Sequence, residues 1–324
     1  MSGEFNLIEK YFVGRQSQRK DVLLAAGDDC ALVQPPDNVA LAISTDTLVE
    51  GTHFLKSANP GWVAHKALAS NISDLAAMGA TPAWVSFALT MPQADEAWLA
   101  PFCDAFFQLA DYFGIQLIGG DTTKGPLCLT LTVQGFVPKE RALTRHTAQV
   151  GDWIYVTGDL GDSRAGLDVI LDANKRSLPF ADKLEERHFI STPRVLAGQA
   201  LLNIASAAID ISDGLIADLG HILQRSSVGA SIDVAELPLS AELLQFLGDT
   251  TQAQQYALTS GEEYELCFTV PQEYRGTLDS ALAHCGTKIT CIGQIRPAGT
   301  FELHQGGKPV EWQLHGFDHF KAGK

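Results

Sequence analysis

Five short segments of the chain set aspartate beside residues small enough to let a ligand approach the backbone. They are Gly27-Asp28-Asp29, Ser44-Thr45-Asp46, Ser73-Asp74, Gly119-Gly120-Asp121 and Asp210-Ile211-Ser212-Asp213-Gly214. Taken singly, each is as well explained as a turn or a helix cap, which Asp, Ser and Gly favour for local reasons. Converging carboxylates, however, repel one another unless a proton or a cation intervenes. Mg²⁺ answers that need, because it takes oxygen ligands, keeps several waters and shares one or two carboxylates with substrate phosphates. The set therefore predicts a metal-assisted reaction on a phosphorylated substrate.

The usual phosphate-binding signatures are missing. The sequence has no G-x-x-x-x-G-K-[ST] loop, no G-x-G-x-x-G fingerprint and no kinase H-R-D or D-F-G element. Gly158, Gly161 and Gly166 are spaced too loosely for such a loop and read as an ordinary strand-to-helix turn. A nucleotide would have to be held by metals and backbone.

Composition narrows the class. With 324 residues the chain is long enough for two domains, and its formal net charge is −15. No basic stripe is visible that could displace counterions from a nucleic acid. The acidity itself reads as solubilising, or as a surface that needs cations before anions can bind. Six scattered cysteines (Cys30, Cys103, Cys128, Cys267, Cys285, Cys291) include no C-x-x-C pair. They are expected as buried, reduced thiols rather than zinc or redox ligands. The opening MSGEFNLIEKYF lacks the basic and long apolar regions of a signal peptide, and no apolar run suits a membrane helix. A soluble, cytoplasmic protein is expected, with no nucleic-acid or membrane partner.

The elements that must carry these aspartates alternate in type. Leu7, Ile8, Tyr11 and Phe12 recur at helical spacing, and Gly14–Lys20 reads as a loop. Strands are expected over Val22–Ala26, Val39–Ser44, Ala83–Leu89, Ile115–Ile118 and Leu127–Val137, several running straight into an acidic turn. Helices are expected over Trp62–Met78, stopped by Gly79, and over Asp95–Phe113, stopped by Gly114. Asp74 thus falls inside a helix. Pro, Lys, Glu, Arg and Gly break the pattern between Pro138 and Gly151, which suggests domains 1–140 and 150–324. Beyond the break come a strand at Trp153–Thr157, helices at Pro193–Ala207 and after Gly214 to Ser226, and strands near Ser231–Val234, Glu265–Val270 and Thr290–Ile295. One more helix covers Gly276–His284. The class is α/β or α+β.

The segments Gly27-Asp28-Asp29-Cys30-Ala31, Ser44-Thr45-Asp46-Thr47-Leu48-Val49, Asn71-Ile72-Ser73-Asp74-Leu75-Ala76-Ala77-Met78-Gly79-Ala80, Gly119-Gly120-Asp121-Thr122-Thr123 and Asp210-Ile211-Ser212-Asp213-Gly214-Leu215 resemble the thiamine-monophosphate kinases. Ser260-Gly261-Glu262-Glu263-Tyr264-Glu265-Leu266 and the closing Gly316-Phe317-Asp318-His319-Phe320 extend the resemblance over nearly the whole chain. It implies the PurM-like fold of the aminoimidazole-ribonucleotide-synthetase superfamily, an N-terminal domain whose sheet dimerises into a barrel and a C-terminal α+β domain. The implied reaction passes the γ-phosphate of ATP directly to thiamine monophosphate, giving thiamine diphosphate and ADP. Magnesium ligands implied by position are Asp29, Ser44, Thr45, Asp46, Asp74, Asp121, Asp210 and Asp213. Gly120, Asp121, Arg145 and Ser212 resemble nucleotide contacts, and His53, Glu262 and Phe317 contacts to thiamine phosphate. Lys124 could equally touch phosphate or solvent. Two positions depart from the family pattern: Glu263 stands where Asp is common, and Phe317 where Tyr or Trp is common. The alternatives are another ATP-using enzyme of the same fold, such as aminoimidazole ribonucleotide synthetase, or a nucleotide or metal sensor without turnover.

Overall fold

In the computed structural model, residues 4–312 are described, and the chain divides into two compact units. One runs to Leu75 and resumes over Ala80–Glu140; the other comprises Ala76–Gly79 and the chain from Arg141.

The first unit opens with α1 (Glu4–Tyr11), whose Leu7 and Tyr11, one helical turn apart, are both buried. A short antiparallel pair follows, β1 (Val22–Leu24) and β2 (Leu32–Val33). Then come β3 (Val39–Val49), α2 (Pro60–Ala77), β4 (Thr81–Met91), α3 (Glu96–Tyr112), β5 (Gln116–Lys124) and β6 (Cys128–Pro138). The four long strands form one sheet in the order β3-β6-β4-β5. Only the β4–β5 pair, joined through α3, is parallel, as a helical crossover requires.

Local chemistry sets the helix ends. Pro60 stands at the first position of α2, where its missing N–H is no loss, and Asn59 Oδ1 accepts from the Gly61 N–H at 2.8 Å. Asp95 caps α3 by accepting from the N–H groups of Ala97 and Trp98. Gly79 and Gly114 follow the two helices with φ of +69° and +64°, where a side chain would strain the backbone. Phe87 of β4 stacks on Phe102 and Phe106 of α3, with ring centroids 5.6 and 5.7 Å apart.

The second unit holds β7 (Trp153–Thr157), α4 (Asp162–Leu171), α5 (Ala181–Phe189), α6 (Val195–Leu201), β8 (Ala207–Asp210), α7 (Leu215–Ser226) and β9 (Gly229–Asp233). It continues with α8 (Ala241–Leu247), α9 (Thr250–Thr259), β10 (Leu266–Val270), α10 (Arg275–Leu282), β11 (Ile289–Arg296), β12 (Phe301–Gln305) and β13 (Lys308–Pro309). Seven strands form a mixed sheet, β13-β12-β9-β11-β7-β10-β8. Every residue of β8 and β10 is buried, so these strands read as apolar runs without alternation. Ile154, Val156, Ile209, Leu219, Ile222, Ile232 and Cys267 belong to one core, while Val169, Leu184, Leu243 and Phe246 build a second among the helices.

The mixed α/β class agrees with expectation, but several boundaries do not. Ser44-Thr45-Asp46 and Gly119-Gly120-Asp121 lie inside strands rather than in turns after them. Strand pairing overrode the turn preference of Asp and Gly there. The helix expected over Pro193–Ala207 is only Val195–Leu201, and α5, α8 and α9 were not anticipated. Cys103 and Cys267 are buried as expected, but Cys30 is exposed, and Cys128, Cys285 and Cys291 are partly so. No described helix is long and apolar enough to cross a membrane.

Candidate functional site

Register decides which face of the first unit's sheet each polar residue occupies. Asp46 pairs with Leu131, Leu131 with Phe87, and Phe87 with Gly120, so these four form one row. Phe87 in that row meets α3, which makes it the helix-covered face. Thr47, Thr130, Ala88 and Asp121 form the next row and therefore point the other way. Thr45 also faces away, its hydroxyl 2.9 Å from Thr132 Oγ1.

On the helix-covered face, Ser44 donates its hydroxyl to the Asp74 carboxylate, and the Asp46 N–H reaches Asn71 Oδ1 at 3.1 Å. Asn71 and Asp74 share a face of α2 at three-residue spacing. Burial, and then the neighbouring Asp74, push the Asp46 carboxyl up to about 6, against a Ser70 hydrogen bond that lowers it. Two carboxylates and a hydroxyl thus meet at close quarters. That arrangement fits a divalent cation, which takes oxygen ligands of this kind. Thr45, expected as a fellow ligand, keeps its side chain out of this cluster.

A second donor pair lies at the sheet's edge strand, β5. The turn Gly27–Ala31 faces Gly119–Thr122 across a cleft of about 300 Å³ that also takes in Ile8, Phe12 and Phe87. Asp29 and Asp121 both line it, as does the exposed Cys30. Gly120 is required here by space rather than by φ: a Cβ would meet the Phe87 carbonyl oxygen at 1.9 Å. Gly120→Ala is expected to part β4 from β5 and to destabilise the protein by about 2–4 kcal/mol. Urea unfolding measures this, and a loss under 1 kcal/mol would contradict it. Among the described residues, no three His, Cys, Asp or Glu side chains form a ready-made metal cage. The donors instead come as carboxylate pairs with hydroxyls, a set that leaves coordination positions to water and phosphate.

His53 follows β3 in a turn, its N–H donating to the Val49 carbonyl at 2.9 Å. The Val49 N–H in turn donates to His53 Nδ1 at 3.0 Å. A neutral ring must then carry its proton on Nε2. Buried Lys66 donates to the His53 carbonyl at 3.3 Å and braces the turn. Lys124 is exposed at the end of β5, in a groove with Leu7, Met91 and Thr122.

In the second unit, Asp210 closes β8, and the turn to Gly214 leads into α7. Asp218, in the first turn of α7, accepts from the N–H groups of Ser212 (3.0 Å) and Asp213 (2.9 Å). Burial pushes its carboxyl up to about 7. Sequence reading missed Asp218, although an acid in the first helical turn after Asp-Gly was its signal. The loop 260–264 folds back on the same turn: Glu262 N–H donates to the Ser212 carbonyl at 2.8 Å, and Tyr264 N–H to that of Ile211 at 2.9 Å. Glu262 and Tyr264 hold φ of +60° and +54°, unfavourable for non-glycine residues by about 1–3 kcal/mol each. The structure therefore brings Asp210, Ser212, Asp213 and Glu262 together. Arg145 lies beside the start of β8: its neighbour Thr144 accepts from the Ala208 N–H at 3.1 Å, and its own carbonyl accepts from Ser226 Oγ at 3.0 Å at the end of α7. Phe317 lies outside the described residues.

Glu263 accepts from the N–H groups of Gly161 (2.9 Å) and Ser163 (3.2 Å), capping α4 in trans. Burial nonetheless raises its carboxyl from 4.5 to about 8. The folded state thus binds this proton more tightly than the unfolded chain does. Its stabilising effect is complete below 4.5 and is lost as pH rises through 8. Glu263→Gln keeps an acceptor for both N–H groups and should flatten this slope. The wild-type protein is expected to lose on the order of 2 kcal/mol more than the variant between about pH 5 and pH 9. Parallel melting curves across that range would refute the assignment.

Two family models match, AIR synthase related protein N-terminal domain over residues 27–137 and its C-terminal domain over residues 149–305. The chain is 53% identical to the thiamine-monophosphate kinase of Escherichia coli K12 over 324 residues, covering 98% of each chain. It is 50% identical to that of Haemophilus influenzae, covering 99% of each. Among solved structures, the thiamine-monophosphate kinase of Stenotrophomonas maltophilia superposes with a TM-score of 0.86 at 42% identity, covering 95% of this chain and 98% of that one. AaThiL complexed with AMPPCP and TMP gives 0.77 at 33%, covering 98% and 97%. Hydrogenase maturation protein HypE of E. coli, at 21% identity and 0.75, shares the fold.

Proposed function

This chain belongs to the thiamine-monophosphate kinase family, and from that premise we propose how its own residues carry the reaction. It is an ATP-dependent kinase whose acceptor is the phosphate of thiamine monophosphate, and its products are thiamine diphosphate and ADP. The observation that carries the residue assignment is the pairing of half-buried carboxylates, Asp46 with Asp74, in a protein of net charge −15.

A phosphate monoester has its second pKa near about 6, so the attacking oxygen is already largely ionised at neutral pH. No general base is then needed, and transfer is in line, from ATP directly to the acceptor. The difficulty is to bring two polyanions together. Asp46, Asp74 and Ser44 would hold Mg²⁺ in the first unit, Asp29 and Asp121 at the cleft, and Asp210 and Asp213 in the second unit. Held there, Mg²⁺ would supply positive charge to neutralise and align the phosphates. Gly119 and Gly120 leave room for the nucleotide beside the β5 backbone, and Ser212 offers a hydroxyl to it. Arg145 supplies a planar fork for a phosphate oxygen. His53, donating from Nε2, and Glu262 would contact thiamine phosphate, with Phe317 offering a ring face to its cationic thiazolium.

The molecule is proposed to work as a homodimer, the first unit's sheet closing a barrel with a second copy. Leu41 and Ile43, 44% and 63% exposed on β3, and the Thr45–Thr132 and Thr47–Thr130 ladders offer the open face for it. Its place is the cytoplasm, where thiols stay reduced; all six cysteines are unpaired. The assay that tests the function follows thiamine diphosphate made from ATP and thiamine monophosphate as magnesium is varied, with free thiamine as the control acceptor. Product formed without magnesium, or equal use of free thiamine, would overturn the reading.

A further inference from the structure

Ser163 and His188, which the reaction above leaves unused, form a chain of contacts in the second unit that ends on Glu262. His188, on α5, is 3% exposed. Its Nδ1 lies 3.0 Å from Ser163 Oγ and 3.1 Å from the Ser163 carbonyl oxygen, and its Nε2 lies 3.4 Å from Glu262 Oε2. A carbonyl oxygen only accepts, so Nδ1 carries a proton. In a neutral ring, the Nε2 lone pair would then be aimed at a carboxylate oxygen, two acceptors face to face. The contact becomes attractive when Nε2 is protonated as well, which makes the ring an imidazolium paired with the Glu262 carboxylate.

The order serine, histidine, acid invites comparison with a hydrolytic triad, but Ser163 is 2% exposed and no substrate can reach its hydroxyl. The neighbouring ionisable groups are committed elsewhere. Glu263 accepts from Gly161 and Ser163, and Asp162 pairs with Arg187. The ring's position is set by a tight helix contact. At Gly166 of α4, a Cβ would meet the Leu184 carbonyl of α5 at 2.1 Å and the His188 Cβ at 2.9 Å. No larger residue would let α5 bring His188 this close to α4.

We propose that His188 is a positioning residue for thiamine monophosphate. Anchored on Ser163, it holds one oxygen of the Glu262 carboxylate and so orients that side chain, on its unfavourable left-handed backbone, toward the substrate. The inference rests on Glu262 contacting the thiamine moiety, as argued above. Losing a charge-assisted contact of this kind weakens the hold on the carboxylate's orientation and so lowers affinity for the substrate.

Steady-state kinetics of His188→Gln, Glu262→Gln and the double variant provide the test, with melting temperatures recorded for each. The expected result is a KM for thiamine monophosphate about tenfold higher in His188→Gln, equivalent to about 1.4 kcal/mol, with the KM for ATP within about twofold of wild type. The double variant should be no worse than Glu262→Gln alone, because both substitutions remove one unit. A folded His188→Gln protein with an unchanged KM, beside an impaired Glu262→Gln, overturns this inference and leaves the substrate site standing. An unimpaired Glu262→Gln overturns the substrate assignment, and the inference with it. Should His188→Gln fail to fold, ring-¹⁵N histidine spectra of the wild-type protein at neutral pH decide the matter. A buried ring with both nitrogens protonated, becoming neutral in Glu262→Gln, supports the pair; a neutral ring in the wild type overturns it.

Discussion

Asp46→Asn is expected to lower thiamine diphosphate formation at saturating magnesium by at least about a thousandfold while the protein stays folded. The amide keeps the size of the carboxylate, and the backbone N–H of residue 46 still reaches Asn71. What is lost is the negative charge that, with Asp74, makes this cluster a place for a cation. Removing one catalytic electrostatic partner in a dry site costs about 3–4 kcal/mol of transition-state stabilisation, and a metal-holding carboxylate stands at or beyond that range. The stability effect should have the opposite sign. Burial and Asp74 already disfavour the ionised Asp46, so metal-free Asp46→Asn should melt no lower than wild type at neutral pH. Turnover near the wild-type rate would end the metal-ligand assignment. A large drop in melting temperature would show instead that Asp46 serves the fold.

Arg194→Ala is expected to be the most destabilising single change in the second unit, by about 3–5 kcal/mol. Arg194 donates Nε and Nη2 to the two oxygens of Glu265 at 2.6 and 2.5 Å, and the two side chains are only 20% and 10% exposed. Thr157 Oγ1 donates to the same carboxylate at 2.5 Å and itself accepts the Leu266 N–H at 2.8 Å. Truncating the arginine leaves a buried carboxylate without its counter-charge at the start of β10, beside the loop that carries Glu262. Replacing both partners together, Arg194→Met with Glu265→Leu, should recover much of the loss, since the cost lies in the orphaned charge. Urea unfolding of the two variants measures this. Equal destabilisation by the single and double changes would refute the account.

The pair also accounts for the first of the three loosely spaced glycines. Gly158 has φ +63°, and a Cβ there would meet Glu265 Oε1 at 2.1 Å. Gly161 takes φ +96° at the start of α4, and Gly166 lets α5 approach. All three are accounted for by packing and capping, in line with the reading of an ordinary strand-to-helix turn.

Long helices were legible because their faces repeat every third or fourth residue and because Asp95, Gly79 and Gly114 mark their ends. The helix α5, ADKLEERHF, escaped notice because its polar residues hide a short apolar stripe that only Leu184 and its neighbours bury. The acidic segments were misjudged in shape. Asp and Gly prefer turns when local preference decides, but Asp46 and Asp121 belong to eleven- and nine-residue strands held by pairing along their length. His188 carried no motif at all, since its role comes from Ser163 and Glu262, both distant in sequence.

By itself the sequence determined the family and the reaction class, because those rest on residue types in a fixed order. Which aspartates can act together was decided only by tertiary structure. Strand alternation puts Asp46 and Asp121 on opposite faces of one sheet, and α2 delivers Asp74 to Ser44. A side chain's neighbours depend on register and helix placement, which no local run of residues encodes.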